Sequence, residues 1–259
     1  MTYTTIDFDV RDNVARLALN RPDTGNAADL LLVRELLQIT KAMAEDSSIR
    51  VVLLTGAGRN FCVGGDLKSF SEEAELGLHL AEVTSYLHSA VSLLAHLDAP
   101  VIAAVQGSAA GAGMSIACGA DLLLMASSAR LVFAYSRVGL TPDGGGSWYL
   151  PRLVGMRRAL DVALTNRVIT AQEALEWGLV TRVVPDDQLS AEAEALALTL
   201  AQGPRAALAD AKRLLRGSLG NDLETQLALE SQALSANAEI DGREGINAFI
   251  AKRTPRFGA

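Results

Sequence analysis

The strongest constraint on the fold is an alternation of short apolar runs with longer segments of helical periodicity. Residues 49–56 (IRVVLLTG) and 101–107 (VIAAVQG) are typical of buried strands, and each leads through a glycine-rich loop into a helical segment. Strands that alternate with helices indicate an α/β layer with parallel pairing. Because ligands in such folds bind beyond the carboxyl ends of the strands, loops 56–66 and 107–113 are expected to converge on one pocket.

The other segments of the first half fit the same class of fold. Residues 5–19 alternate apolar and polar positions around an RDN turn, which predicts a β-hairpin. The same kinds of periodicity predict helices over residues 26–46, 72–97 and 109–121 and a strand over 122–127.

Beyond residue 148 the pattern becomes mostly helical. Thr170 and Glu173 form a capping box at the start of one helix, and residues 181–184 (TRVV) predict a short strand. No linker, repeat or low-complexity tract interrupts the chain. The sequence therefore predicts an α/β core over residues 1–200 and a helical C-terminal region over residues 201–259.

Composition excludes several classes of function. The net charge is −7 and no basic stripe is visible, so a nucleic-acid partner is not expected. No apolar run reaches the roughly 20 residues that span a bilayer, and the N-terminus lacks the features of a signal peptide. The two cysteines, Cys62 and Cys118, fit a reducing compartment, so we expect a cytoplasmic protein without a membrane partner. The three histidines are too widely spaced to predict a metal site.

The glycine-rich loops do not match phosphate-binding loops. Neither loop contains G-x-x-x-x-G-K-[ST] or a G-x-G-x-x-G in the required context, and no G-x-S-x-G elbow is present. What the loops offer is bare backbone N–H groups, one set of them at the start of a helix. Such donors form an oxyanion hole, which stabilises negative charge on a carbonyl oxygen.

Residues 141–148 (TPDGGGSW) place one carboxylate, Asp143, between Pro142 and three consecutive glycines. Proline fixes the backbone, and glycine permits sharp turns and close approach. Taken alone, these residues favour an ordinary turn over a catalytic carboxylate.

Three segments together resemble the signatures of the crotonase superfamily, the enoyl-CoA hydratases and isomerases. They are FCVGGDLK (61–68), VQGSAAGAGMSIACGADL (105–122) and GLTPDGGGSWYLPRLVG (139–155), and EALEWGLV and REGINAFIAKRTPRF also match. The resemblance covers essentially the whole chain in order. It implies a spiral of ββα units with a helical C-terminal trimerisation region, in homotrimers that often pair into hexamers. It also implies an acyl-CoA thioester as substrate, with no cofactor beyond the CoA of the substrate itself.

The resemblance also implies which residues form the site. The two amides of the oxyanion hole fall on Gly65 and Ala112. The backbone around Cys62 and Val63 would receive the adenine, Lys68 would lie near the phosphates, and Phe249 and Lys252 would reach the CoA of a neighbouring subunit. For the two lysines, solvated surface charge is the competing interpretation. The full set of substrate-binding residues implied in this way is Cys62, Val63, Gly64, Asp66, Leu67, Lys68, Gly113, Tyr135, Phe249 and Lys252.

The catalytic acids distinguish the branches of the superfamily. The hydratases of this family use two glutamates, and this chain has Ser115 and Tyr135 at their places. Asp143 remains, as in the isomerase branch, in particular the ring-epoxide isomerase of phenylacetyl-CoA degradation. We therefore expect an isomerase in which Asp143 is the base that moves a double bond, with a pKa raised by an apolar lining. The lining itself is expected mainly from the helix over residues 72–97.

Three alternatives remain open. An enoyl-CoA hydratase could position its water differently. A chemistry like that of the 4-chlorobenzoyl-CoA dehalogenases would use Asp143 as nucleophile and His88 as the base for water, although a plain helix histidine is the favoured interpretation of His88. A non-catalytic acyl-CoA binder would use the pocket without the carboxylate.

Overall fold

The predicted strands form two sheets in the computed structural model, which describes residues 3–257. The strands are β1 (Ile6–Arg11), β2 (Val14–Leu19), β3 (Val51–Gly56), β4 (Val101–Val105), β5 (Ser108–Ala110), β6 (Leu122–Ala126), β7 (Arg130–Val132), β8 (Val168–Thr170) and β9 (Arg182–Val184). The helices are α1 (Leu30–Glu45), α2 (Leu67–Ser71), α3 (Leu76–His96), α4 (Ala112–Gly119), α5 (Gly146–Val154), α6 (Met156–Thr165), α7 (Ala171–Glu176), α8 (Leu189–Ala201), α9 (Arg205–Gly217), α10 (Leu223–Asn237) and α11 (Arg243–Ile250).

The larger sheet has six strands in the order β1-β2-β3-β4-β6-β9, and the smaller has three in the order β5-β7-β8. The hairpin β1–β2 is antiparallel, whereas every other pair in the larger sheet is parallel. The chain passes repeatedly from a strand of the larger sheet to one of the smaller and then into a helix, as in β4-β5-α4. This path is the spiral of ββα units that the sequence predicted, and it confirms the α/β fold class.

The core lies between the larger sheet and the helices packed on it. β3 and β4 carry buried apolar side chains at successive positions, as expected for strands covered on both faces. Helix α8 packs on β2, β3, β4 and β6, and its buried face consists largely of alanines that permit a close approach. Helix α1 packs against α3.

Two details differ from the sequence-based prediction. The helix expected over residues 72–97 begins four residues later, as α3 at Leu76, and a separate short helix, α2, precedes it over residues 67–71. The amide of Glu72 closes α2 by donating to the Ser69 carbonyl, and residues 72–75 between the two helices are all exposed. The second difference is β8, a three-residue strand in a segment expected to be helical, which pairs antiparallel with β7.

Helices α9, α10 and α11 form the predicted helical C-terminal region. Helix α10 has no buried residue within the described chain, although it carries several leucines. The large exposed apolar side chains of α10 and α11 are Leu223, Leu227, Leu229, Leu234, Ile246, Phe249 and Ile250. Within residues 3–257, no helix has both the length and the hydropathy needed to cross a membrane.

Candidate active site

A central cavity of about 510 Å³ lies where the two predicted glycine loops meet. Helix α3, the loop before α2, the start of α4 and the loop from Ala134 to Asp143 form its walls. Its apolar lining includes Val63, Leu67, Phe70, Leu80, Val83, Leu87, Val138 and Leu140. Among the described residues that line it, Asp143 is the one carboxylic acid.

Gly65 and Ala112, the two residues predicted to supply the oxyanion-hole amides, both line the central cavity. Ala112 is the first residue of α4, where the N–H groups have no acceptor in the preceding helical turn. Within residues 3–257 neither amide donates a hydrogen bond to another backbone group. Two free donors on one cavity are what an oxyanion hole requires, and the N-terminus of α4 adds its partial positive charge.

Glycines allow the two loops to approach each other. A Cβ on Gly65 would lie 2.5 Å from the Phe70 ring, and one on Gly113 would lie 2.2 Å from the carbonyl oxygen of Cys62. Because real Cβ atoms do not approach so closely, a side chain at position 113 would clash with backbone, and one at position 65 would force the Phe70 ring or the local backbone to shift. Gly113 therefore allows α4 to lie close to Cys62, and its contact with the substrate stays a prediction.

Asp143 is held by a chain of hydroxyl groups. Tyr135 Oη donates to Asp143 Oδ1 at 2.5 Å, and Ser115 Oγ lies 2.8 Å from Tyr135 Oη. Burial raises the pKa of Asp143, against the opposing effects of the Tyr135 hydrogen bond and of His88. Burial, together with the Asp143 charge, also raises the pKa of Tyr135, so the phenol keeps its proton and acts as the donor. The predicted direction of the Asp143 shift is thus present in the structure.

The three positions after Asp143 require glycine for different reasons. Gly144 and Gly145 adopt φ angles of 57° and 81°, in the left-handed region that favours glycine. A Cβ on Gly146 would lie 2.3 Å from Ser115 Oγ. The loop therefore brings the Asp143 carboxyl against the hydroxyl pair with no side chain in between.

His88 stands on α3 beside the same loop. Its Nε2 accepts a hydrogen bond of 3.1 Å from the Gly144 amide. His88 and Asp143 line both the central cavity and a neighbouring side cavity of about 770 Å³, whose wall also includes Lys212, Arg213 and Arg216 of α9. His88 thus reaches the site, with the Nε2 lone pair engaged by the backbone.

A third, loop cavity of about 570 Å³ lies next to the central one and shares Val63, Gly65 and Leu67 with it. Lys68 lines this loop cavity, and so does Arg21, which the sequence-based reasoning missed. The sequence around Arg21, in the loop after β2, does not indicate a binding role, because its position beside Lys68 depends on the tertiary fold.

Two of the predicted substrate-binding residues, Cys62 and Asp66, are engaged by structural partners within the chain. Cys62 is fully buried, its amide and carbonyl pair with Ser108 and Ala110, and burial raises the pKa of its thiol to about 11. Asp66 lines the loop cavity, but its carboxylate caps α2 and pairs with Arg21 at 3.0 Å.

Phe249 and Lys252 are exposed near the C-terminal end and are not among the residues that line the three cavities. One chain does not test their predicted contact with a neighbouring subunit, so their role stays a prediction. No group of three or more His, Cys, Asp or Glu side chains in the described part of the chain is arranged to hold a metal ion.

The fold and this site define a class of protein: an α/β spiral with two free backbone amides and one carboxylate around an apolar cavity. The family model described as enoyl-CoA hydratase/isomerase matches residues 9–259. The chain therefore belongs to the enoyl-CoA hydratase/isomerase family, within the crotonase superfamily, and is an enzyme of that family.

Individual relatives match over nearly their whole length. The 1,2-epoxyphenylacetyl-CoA isomerase of Escherichia coli (strain K12) is 41% identical over 255 residues, covering 96% of each chain. A probable enoyl-CoA hydratase of Rhodobacter capsulatus is 40% identical over 260 residues, covering 99% of each. The crystal structure of an enoyl-CoA hydratase from Bacillus anthracis superposes with a TM-score of 0.92 at 35% identity, covering 98% of this chain and 99% of that one.

Proposed function

We propose that the protein is an enoyl-CoA isomerase that moves a double bond along the acyl group of a CoA thioester, with Asp143 as the base. One observation carries the proposal: among described residues, Asp143 is the sole carboxylic acid on the cavity that also holds the free amides of Gly65 and Ala112. Migration of a double bond needs a single base that removes a proton at one carbon and returns it at another. The site has that one group in a water-poor, apolar surrounding.

The reaction follows from this arrangement. With a 3-enoyl-CoA, Asp143 takes a proton from C2, and the C–H electrons form an enolate whose oxygen receives hydrogen bonds from the Gly65 and Ala112 amides. The protonated Asp143 then returns the proton to C4, and the remaining double bond lies between C2 and C3. Amide donors of this kind contribute about 10²–10³ in rate each when they face the developing charge.

The raised pKa of Asp143 suits this role. A stronger base removes a carbon-bound proton more readily, and the same group, once protonated, is still acidic enough to give the proton back. Burial is the main cause of the shift, which agrees with the apolar lining of the central cavity.

The same contacts argue against hydration of a double bond. Hydration needs a positioned water with a base for the water and an acid for the carbon. Ser115 and Tyr135, at the places of the hydratase glutamates, direct their hydroxyls at each other and at Asp143. Neither hydroxyl is placed as a second carboxylate would be.

We also propose how the whole substrate is held. The acyl group would occupy the central cavity, and the CoA arm would leave along the loop cavity, where Lys68 would meet the anionic phosphates. Arg21 lines the same cavity, but its guanidinium already pairs with Asp29 and Asp66. Residues 201–259 would form the trimerisation region, because the exposed apolar side chains of α10 and α11 need a partner in water. A homotrimer would also supply the neighbour that Phe249 and Lys252 are predicted to reach. Light scattering on the purified chain tests this, and a monomer would refute it.

The test of the proposed reaction uses purified wild-type protein, Asp143→Asn and the matched control Asp187→Asn, which changes an exposed carboxylate in a short 3-10 helix that lines none of the three cavities. Each is incubated with a 3-enoyl-CoA and, separately, with a 2-enoyl-CoA. Interconversion of the two by wild type and Asp187→Asn, and its loss in Asp143→Asn, is the expected result. Formation of 3-hydroxyacyl-CoA from crotonyl-CoA instead would favour the hydratase, and full activity of Asp143→Asn would refute the assignment.

A further inference from the structure

The hydroxyl chain beside Asp143 has a defined direction. An ionised carboxylate only accepts hydrogen bonds, so Tyr135 must donate its one hydrogen to Asp143 Oδ1. The Tyr135 oxygen is then free to accept, and Ser115, 2.8 Å away, supplies the hydrogen. Each bond in such a chain polarises the next, and a bond to a charged acceptor is the strong kind.

The surroundings hold this chain rigidly. Ser115 is fully buried in α4, and Tyr135 is 7% exposed. The Tyr135 ring packs edge-on against Phe133, with centroids 5.1 Å apart. The absence of a side chain at Gly146 leaves room for Ser115 Oγ, which a Cβ there would approach to 2.3 Å. This packing places Tyr135 Oη against the carboxylate and Ser115 Oγ against Tyr135 Oη.

We propose that Tyr135 is a positioning residue that fixes the Asp143 carboxylate through Oδ1, which leaves Oδ2 as the oxygen that moves the proton, and that Ser115 orients the Tyr135 hydroxyl. This inference rests on the function proposed above. It assigns Tyr135 a role different from the substrate contact that the sequence predicted. Ser115 and Tyr135 thus stand at the places of the two hydratase glutamates, and their hydroxyls orient the single carboxylate of Asp143.

Two consequences separate positioning from a merely structural role. The Tyr135 hydrogen bond lowers the pKa of Asp143, so its removal must raise that pKa and move the acid limb of the pH–rate profile to higher pH. A carboxylate that is free to rotate spends less time aimed at the substrate, so kcat must fall while KM changes little. A change in stability alone would produce neither effect.

The experiment compares the pH profiles of kcat and KM for isomerisation of a 3-enoyl-CoA by wild type, Tyr135→Phe, Ser115→Ala and Asp143→Asn. Tyr86→Phe on α3 is the matched control, since it removes a phenol outside the central cavity. Tyr135→Phe is expected to lower kcat by about 10- to 100-fold and to move the acid limb upward. Ser115→Ala is expected to lower kcat and to move the acid limb upward as well, each by a smaller amount than Tyr135→Phe. Thermal melts establish that each variant is folded, and Ser115→Ala carries the test if Tyr135→Phe is not.

The possible failures are distinguishable. If Asp143→Asn is inactive but the hydroxyl variants keep the wild-type acid limb, the positioning role is wrong and the isomerase assignment stands. A lower kcat with an unmoved acid limb would also overturn it, because that pattern indicates only general disturbance of the site. If wild type itself moves no double bond, the proposed function fails and this inference fails with it.

Discussion

The Gly144 amide donates a hydrogen bond of 3.1 Å to His88 Nε2, which ties the loop that carries Asp143 to helix α3. The lone pair on Nε2 is thereby occupied, so this nitrogen is not free to take a proton from a water molecule. His88 is in this account an acceptor that holds the loop, and it is not the general base of a dehalogenase-like reaction.

Replacement of His88 tests this directly. Glutamine keeps an acceptor of similar reach, so His88→Gln is expected to retain most of the isomerase activity. His88→Ala removes the acceptor and loosens the loop, and we expect kcat to fall by about tenfold or more. Steady-state assays of both variants give the comparison. Activity of His88→Gln as low as that of Asp143→Asn would contradict the account, because it would show that the imidazole itself moves protons.

The pH dependence of the wild-type enzyme is a second prediction. A base must be ionised to act, so activity is present above the pKa of Asp143 and is lost as the pH falls through it. Because burial raises that pKa above the ordinary aspartate value of about 3.9, the acid limb of kcat should lie above this value. The acid limb is located by measuring rates at constant ionic strength from about pH 4 to 8, roughly the pH range in which proteins stay folded. If Asp143→Asn keeps some activity and its pH–rate profile lacks the acid limb, the limb belongs to Asp143. An acid limb of the wild-type enzyme at or below the ordinary aspartate pKa would contradict the prediction.

Gly65→Ala probes the oxyanion hole. The new Cβ would meet the Phe70 ring at 2.5 Å, so the ring or the 65 amide must shift. We expect kcat to fall by about 10²-fold, since a donor displaced from the oxyanion loses most of its effect in the transition state. Gly220→Ala is the control, because it adds a Cβ in open space. Wild-type kcat in Gly65→Ala would argue that the Gly65 amide does not face the thioester oxygen.

The two cysteines give a prediction that is independent of activity. Burial raises the pKa of Cys62 to about 11 and that of Cys118 to about 12, so neither thiol is ionised near neutral pH. A thiol-specific reagent at about pH 8, near the ordinary thiol pKa, should label neither residue in the folded protein and both after denaturation. Rapid labelling of either thiol in the folded state would show that the loop around Cys62 or helix α4 opens.

Much of the fold could be predicted because its signals are local. The hairpin β1–β2, the buried run of β3 and the capping box of Thr170 and Glu173 all appear in the structure where the sequence placed them. The start of α3 and the strand β8 could not be predicted as well, since both depend on partners elsewhere. Residues 72–75 are exposed between α2 and α3, and β8 exists by pairing with β7.

The site was predictable to a different extent. The cavity unites Gly65, Ala112 and Asp143 as the glycine loops and the resemblance led us to expect. The hydrogen bond from Tyr135 to Asp143 could not be foreseen, because it depends on how the segment after β7 folds back over α4. For the same reason, the backbone pairing of Cys62 and the close packing of Gly113 against it could not be foreseen, and Arg21 was missed.

The central claim is that two amides and one carboxylate form and quench an enolate, and solvent hydrogen exchange tests it most directly. An enoyl-CoA incubated with the enzyme in deuterated water is followed by proton NMR at C2, the carbon next to the thioester, and at C4, two positions further along. The account predicts deuterium at these carbons with wild-type protein and with Asp187→Asn, whether or not the natural acyl group has been found, and none with Asp143→Asn. Equal exchange by Asp143→Asn and wild type would contradict it.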